Sequence, residues 1–148
     1  GYVMSCFARI DLYSGYWRGR CSQVKQTKRM VDFMEKYFRV DREACNVSIQ
    51  LWRHTLMHTG KPRYLKNNET GKTYRWLLHW HNQLSREQHF TFAENNTERI
   101  LNLSLIYLVG DLENALQRYL QELSGNAKLQ ENLQQKEKDL QNSSFKMV

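Results

Sequence analysis

The chain has 148 residues, 41% of them hydrophobic, and a formal charge of +7 at neutral pH. This length fits one domain with one core. The positive charge favours a polyanionic partner such as RNA or DNA. The three cysteines, Cys6, Cys21 and Cys45, are odd in number and show no C-x-x-C spacing. They indicate reduced thiols in a cytoplasmic protein and argue against a disulfide framework or a cysteine-ligated zinc site.

Three helices are predicted in the first 58 residues. The first covers residues 2–17, with apolar residues at helical intervals and Gly19 as a stop. Charged residues interrupt this stretch and it is too short to span a bilayer, so we expect a core helix and no membrane partner. Thr27 is expected to cap the second helix, whose apolar stripe comprises Met30, Phe33, Met34, Tyr37 and Phe38. The third helix covers residues 42–58.

The hydrophobic period changes between residues 62 and 92, which are rich in aromatic side chains. Two aromatic runs, residues 63–66 and 73–80, flank the turn-forming segment 67–72. This arrangement predicts a β-hairpin, with residues 89–92 as a possible third strand. A helix over residues 74–83 is the alternative.

A long helix is predicted for the segment that follows. Asn95 and Glu98 have the spacing of a capping box, and the apolar residues from there to Leu123 are typical of a central bundle helix. Beyond Leu123 the composition turns to Gln, Asn, Lys and Glu. This tail has few apolar residues to join the core, so we expect frayed helix, a coiled-coil arm or disorder.

The predicted fold is therefore mainly α. It is an antiparallel helical bundle over residues 1–123, with a small β-hairpin insertion at about residues 62–92. A polar C-terminal tail, helical or disordered, covers residues 124–148.

Residues 53–58, Arg-His-Thr-Leu-Met-His, carry the clearest chemical signal. The Arg53 guanidinium can clamp a phosphate, and His58 can transfer protons near neutral pH, so the pair suggests phosphodiester cleavage. On a straight helix the two side chains point roughly 140° apart. A second copy across a two-fold axis would bring two arginines and two histidines into one cleft. The alternative is that Arg53 makes a surface ion pair and His58 caps the helix C-terminus.

The same six residues resemble the R-x4-H motif of HEPN domains (higher eukaryotes and prokaryotes nucleotide-binding), in which a polar residue such as His54 commonly follows the arginine. The helix order over residues 2–123 is also similar. The resemblance implies a helical bundle and, as in many members, a homodimeric endoribonuclease that needs no metal or other cofactor.

The resemblance also implies roles for individual residues. Arg53 would hold the scissile phosphate, and His58 would act as general acid or base while the RNA 2′-hydroxyl attacks. An acidic residue often found on an earlier helix is matched by Asp11. Many members are toxins or antiphage effectors, so a nucleotidyltransferase-type antitoxin is a possible partner.

A zinc site is one competing hypothesis. His54 and His58 are four residues apart, as in H-E-x-x-H enzymes, but Thr55 occupies the position of the general-base glutamate. A third ligand would have to come from elsewhere, for instance from His79, His81 or His89. We therefore favour a site without metal.

The aromatic segment is a candidate RNA-binding surface. Its basic residues, which would contact phosphates, are Lys61, Arg63, Lys66 and Arg75, and the aromatic residues that would stack on bases are Tyr64, Tyr74, Trp76 and Trp80. The alternative is that the aromatic face packs on the helices and the basic face is only solvated. A non-catalytic HEPN-like binding or scaffold protein is therefore the main rival to the enzyme.

Overall fold

The computed structural model describes residues 2–19, 26–57, 64–80 and 84–141. Of these residues, 64% are helical and 16% lie in strands. In chain order the elements are α1 (Tyr2–Arg18), α2 (Gln26–Tyr37), α3 (Arg42–Met57), β1 (Leu65–Lys66), β2 (Thr73–His79), β3 (Thr91–Glu94), β4 (Glu98–Ser104), α4 (Leu105–Ser124) and α5 (Ala127–Gln141). The predicted mainly-α bundle with a small hairpin is wrong, because a four-stranded mixed sheet accompanies the helices.

Helices α1 to α3 form where the apolar periodicity predicts them. The apolar stripe of α2 is buried against its neighbours. Gly19 ends α1 in the left-handed region with φ 73°, and its N–H donates to the carbonyl of Gly15 at 2.8 Å. Thr27 lies one residue inside α2 and not before it. Among the described residues, no helix is long and apolar enough to cross a membrane.

The sheet has the strand order β1-β2-β4-β3. Strands β1 and β2 form the predicted hairpin, but β1 has only two residues. Strand β2 pairs in parallel with β4 along its whole length, from Thr73↔Glu98 to His79↔Ser104. Strand β3 pairs antiparallel with the other side of β4. The sheet is therefore built around β4 and is larger than a hairpin insertion.

Strand β4 comes from residues predicted to begin the long helix. Leu101 and Leu103 are fully buried, whereas Asn102 faces the opposite side, which is the two-residue period of a strand. Asn95 caps a turn between β3 and β4 and not a helix, because its Oδ1 accepts from the N–H groups of Thr97 at 2.9 Å and Glu98 at 2.8 Å. The capping-box prediction is therefore wrong.

Helix α4 begins at Leu105 instead. Its N-cap is Ser104, whose hydroxyl accepts from the N–H of Tyr107 at 3.4 Å. The last residue of the central strand thus also starts the helix, which fixes the direction in which α4 leaves the sheet.

One face of the sheet packs on α1 and α3. The ring of Trp76 stacks on Phe7 with centroids 5.9 Å apart, and Phe7 in turn stacks on Trp52 at 6.3 Å. Arg99 lies over the ring of Phe92 at 4.1 Å and pairs with Glu43 of α3. Aromatic packing and this ion pair therefore join the sheet to the helices.

The polar C-terminal segment forms α5, which packs against α1. Leu129 is buried as part of the core. The side-chain amide of Asn132 donates to the carbonyl of Trp17 at 2.8 Å. The expectation that this segment has too few apolar residues to join the core is therefore wrong for residues 127–141. Residues 142–148 of the predicted tail lie outside the described residues.

Candidate functional site

Arg53 lies near the C-terminal end of α3, one residue before the last turn, and its guanidinium contacts the start of α2. One terminal nitrogen donates to the hydroxyl of Thr27, and the other donates to Oε1 of Gln26 at 2.7 Å. The side chain remains partly exposed. Because both acceptors belong to the first turn of α2, the guanidinium is held in one orientation at this junction of two helices.

Asp11 of α1 joins the same network through Gln26. The Gln26 amide donates from Nε2 to Oδ2 of Asp11 at 2.8 Å, while its Oε1 accepts from Arg53. Asp11 also forms an ion pair with Arg29 of α2. The structure therefore brings two of the predicted site residues, Asp11 and Arg53, into one network that connects three helices.

Arg29 is a member of this network that the sequence did not reveal. Its side chain is only 9% exposed, and its Nε donates to the hydroxyl of Ser14 at 3.0 Å. Burial of an arginine requires a counter-ion, which Asp11 supplies. The spacing of apolar residues predicts which apolar side chains are buried. It therefore could not predict that a charged side chain of α2 is buried.

Of the two histidines of the motif, only His54 is among the described residues. His54 is partly exposed and follows Arg53 on α3. His58 lies outside the described residues. Within those residues, no group of three or more His, Cys, Asp or Glu side chains could hold a metal ion.

The other histidines proposed as zinc ligands have different surroundings. His79 at the end of β2 lies with Nε2 3.1 Å from Oδ1 of Asn102. His89 is buried, and both its nitrogens face protein groups: Nδ1 accepts from the N–H of Ser104 at 3.0 Å, and Nε2 lies 3.3 Å from Oδ2 of Asp111. His81 lies outside the described residues.

Ser104, His89 and Asp111 are the residue types of a hydrolase triad, but their geometry is that of a structural cluster. All three side chains are buried. The hydroxyl of Ser104 caps α4, and His89 contacts the backbone N–H of Ser104, not its hydroxyl. A nucleophile without solvent access and without its base cannot attack a substrate. The cluster instead attaches the segment before β3 to α4.

Two of the four predicted RNA-binding residues are described. Lys66 on β1 is exposed. Arg75 on β2 is half-buried and pairs with Glu98 at 3.4 Å. Lys66 pairs in register with Thr73, so it lies on the same face of the sheet as Arg75. Lys61 and Arg63 lie outside the described residues.

The aromatic residues of β2 face away from this basic surface. Trp76 stacks on Phe7, and Tyr74 packs edge-on against Phe92 at 6.1 Å. These two rings therefore pack on the inner face of the sheet and cannot stack on bases at the basic surface. Trp80 and Tyr64 remain exposed.

A separate polar cleft of about 310 Å³ lies between the end of α2 and α4. It is lined by Arg39, Arg86 and Arg118 together with Asp111 and several amide side chains. Burial and a hydrogen bond to Glu122 raise the pKa of Tyr37, which also lines the cleft, so its hydroxyl stays protonated and donates to Glu122 at 2.7 Å. The three arginines are scattered along the chain, so no local motif could have revealed the cleft.

Comparison with known proteins gives no assignment. No protein-family model matches the chain, and neither does any curated protein or solved structure at a significant level. The candidate chemistry therefore depends on the residues themselves.

Proposed function

We propose that this protein is a metal-independent endoribonuclease that cleaves RNA by attack of the substrate's own 2′-hydroxyl. In this proposal Arg53 holds the scissile phosphate and His58 is the general acid or base, with His54 beside them. The observation that carries the proposal is the hydrogen-bonded chain from Arg53 through Gln26 to Asp11.

The chain of hydrogen bonds supports a phosphate-binding role for Arg53. A guanidinium has five N–H donors, and the described contacts of Arg53 are one from each terminal nitrogen. Donors therefore remain for a phosphate. Fixing the side chain in advance lowers the entropy lost when substrate binds, which is how positioned groups accelerate a reaction.

The proposed active form is a homodimer. A straight helix continued as far as His58 would turn the side chains of Arg53 and His58 roughly 140° apart, so in this proposal a second copy completes the catalytic pair. We propose that Lys66 and Arg75, with Lys61 and Arg63, contact the RNA backbone outside the cleavage site. The proposed location is the cytoplasm, in keeping with Cys6 and Cys45, which are free thiols.

The test is cleavage of single-stranded RNA in EDTA. We expect products with 2′,3′-cyclic phosphate ends and no cleavage of DNA, because the nucleophile is the 2′-hydroxyl. His58→Ala should abolish cleavage and leave RNA binding nearly unchanged. Arg53→Lys should also be severely impaired, because an ammonium cannot reproduce a bidentate contact.

Matched controls separate chemistry from folding. His79→Ala removes a histidine at the end of β2 and should leave cleavage intact. Thr27→Val removes one acceptor of Arg53 without changing the arginine, so it should reduce the rate less than Arg53→Lys. If zinc restores activity after EDTA removes it, the metal-independent mechanism is wrong.

A second candidate is a non-catalytic binding or scaffold protein. The observation in its favour is that both terminal nitrogens of Arg53 donate within the protein, as in an arginine whose role is structural. In that case wild type and His58→Ala would both bind RNA or a protein partner, and neither would cleave RNA.

A further inference from the structure

The polar cleft between α2 and α4 contains three arginines from three separate parts of the chain. Arg39 follows α2, Arg86 precedes β3, and Arg118 is on α4. Amide side chains on the same face of α4 line the cleft as well: Asn114, Gln117 and Gln121. The cleft lies at the C-terminal end of α2, roughly 15 Å along the helix from the contacts of Arg53 at its N-terminal end.

The positive charge of this cleft is only partly compensated. Among the described residues that line it, Asp111 is the one carboxylate, and it is only 5% exposed and paired with Arg86. Arg118 donates to the main-chain carbonyl of Tyr37 at 3.1 Å and not to a carboxylate. In the described part of the chain the Arg39 side chain has no hydrogen bond or ion pair. Two guanidinium charges therefore remain for a ligand.

A carboxylate close to Arg118 does not remove this excess. Burial raises the pKa of Glu122. Hydrogen bonds from Tyr37 and Lys36 and the charge of Arg118 lower the pKa by more than burial raises it, so the net pKa is below its usual value. Its Oε2 accepts from the Tyr37 hydroxyl at 2.7 Å and pairs with Lys36 at 3.1 Å. Lys36 therefore compensates the charge of Glu122. The guanidinium of Arg118 lies 5.6 Å from the ring centroid of Tyr37, another residue that lines the cleft.

The backbone of Arg39 is a second, independent observation. Its φ of 56° lies in the left-handed region, directly after the end of α2. Glycine or asparagine usually occupies that position, because a side chain there is strained. Residues in such sparsely populated backbone regions cluster at functional sites. An exposed arginine held in this conformation, with no partner among the described residues, is available to contact a ligand.

We propose that this cleft binds the terminal phosphate of a ribonucleotide, either free or at the end of an RNA strand. A phosphate monoester carries a charge of about −1.5 to −2 at neutral pH and three acceptor oxygens, which match two uncompensated guanidinium groups. The amides of α4 can donate to and accept from a base or ribose. The volume lies at the lower end of the range of small-molecule sites.

The experiment is calorimetric titration of the 148-residue chain with a nucleoside monophosphate. Arg39→Gly should weaken binding about tenfold or more, since a charged hydrogen bond is lost. The same variant should keep or raise the melting temperature, because glycine favours the left-handed conformation. Arg118→Gln should also weaken binding, and Arg9→Ala, which removes an exposed arginine of α1, should not change the affinity.

Further ligands distinguish the two sources of phosphate. Tighter binding of a 5′-phosphorylated oligoribonucleotide than of its 5′-hydroxyl form, lost in Arg39→Gly, would support an RNA end. Binding of the mononucleotide alone would support a free nucleotide. Equal affinity of wild type and Arg39→Gly for every phosphate ligand, or preference for an acidic peptide, would overturn the proposal. The measurement does not involve cleavage, so failure of the ribonuclease proposal would leave its outcome unchanged.

Discussion

Asn132 of α5 donates a 2.8 Å hydrogen bond from Nδ2 to the main-chain carbonyl of Trp17, in the last turn of α1. The last carbonyls of a helix lack partners within the helix, so a side-chain donor from α5 satisfies one of them. Two residues further on, Gly19 lies so close to Asn132 that a Cβ would be 2.7 Å from its Cα. The end of α1 is therefore shaped to receive α5.

The close approach predicts a large effect of Gly19→Ala. The φ of 73° costs any side chain about 1–2 kcal/mol, and the clash with α5 should add about 1–3 kcal/mol. Gly71→Ala is the matched control, because Gly71 has φ 74° and nothing within 4 Å of the added Cβ. Urea denaturation should show that Gly19→Ala is the more destabilising change.

Comparing Gly19→Ala with Gly71→Ala in a protein that ends at Ser124 tests whether the clash with α5 causes the difference. Without α5 the clash disappears, so both substitutions should cost about the same. Equal costs in the 148-residue chain, which contains α5, would contradict the packing of α5 on α1.

The strand assignment of residues 98–104 predicts opposite behaviour of two leucines. Leu103 is fully buried on β4, whereas Leu77 on the neighbouring strand β2 is 43% exposed on the outer face. Leu103→Ala should cost about 2–5 kcal/mol of unfolding free energy, and Leu77→Ala less than about 1 kcal/mol. If thermal and chemical denaturation showed that the two variants lose a similar amount of unfolding free energy, this register would be contradicted.

Asp32 predicts a dependence of stability on pH. It forms ion pairs with Arg18, Lys28 and Arg42 of three helices. Burial raises its pKa, but hydrogen bonds and charges from these partners outweigh that effect and lower it. Because the folded pKa lies below the unfolded one, the stabilisation is present above about pH 4 and is lost as pH falls through the folded pKa.

Asp32→Asn should therefore cost about 1 kcal/mol near neutral pH. The difference from wild type should disappear in strong acid. Asp139→Asn, at an exposed position on α5, should show no such pH dependence. An Asp32→Asn deficit that is constant from pH 7 to pH 2 would exclude the ionic explanation.

The bridge between Asp11 and Arg53 predicts a role for Gln26 in stability. Gln26→Leu keeps the approximate shape but removes both hydrogen bonds, so about 1–2 kcal/mol should be lost. Gln50→Leu is the control, because Gln50 is exposed on α3 and contacts only Asn46 through its side chain within the described residues. Equal stability of the two variants would show that the bridge contributes nothing.

The buried thiols should react slowly. Burial raises the pKa of Cys45 to about 12 and also raises that of Cys6. Because the thiolate is the reactive form, alkylation of both residues at pH 8 should be much slower in the native protein than in urea. Peptide mass spectrometry can follow each cysteine separately. Fast native labelling of Cys45 would mean that α3 opens readily.

The sequence by itself determined the three N-terminal helices and the position of Arg53 near the C-terminal end of α3. Helical periodicity is a local property, so Met30, Phe33 and Met34 identify their buried face without reference to any partner. The hairpin between β1 and β2 was also predictable, because the residues of its turn are adjacent in the chain. The sequence also pointed to Asp11 and Arg53 as candidate site residues, but it gave no sign of Gln26, which connects them.

Only the tertiary structure decided the course of β4, the docking of α5 and the arrangement of the arginines. The alternation of Leu101 and Leu103 is too short to distinguish a strand from an apolar helix until β2 and β3 pair on both sides. Leu129 contributes a buried side chain to the docking of α5, and Asn132 contributes a hydrogen bond. Two such residues in a polar segment are too few for the composition to predict docking. These three features depend on contacts between residues that are distant in the chain. Local sequence patterns therefore cannot predict them.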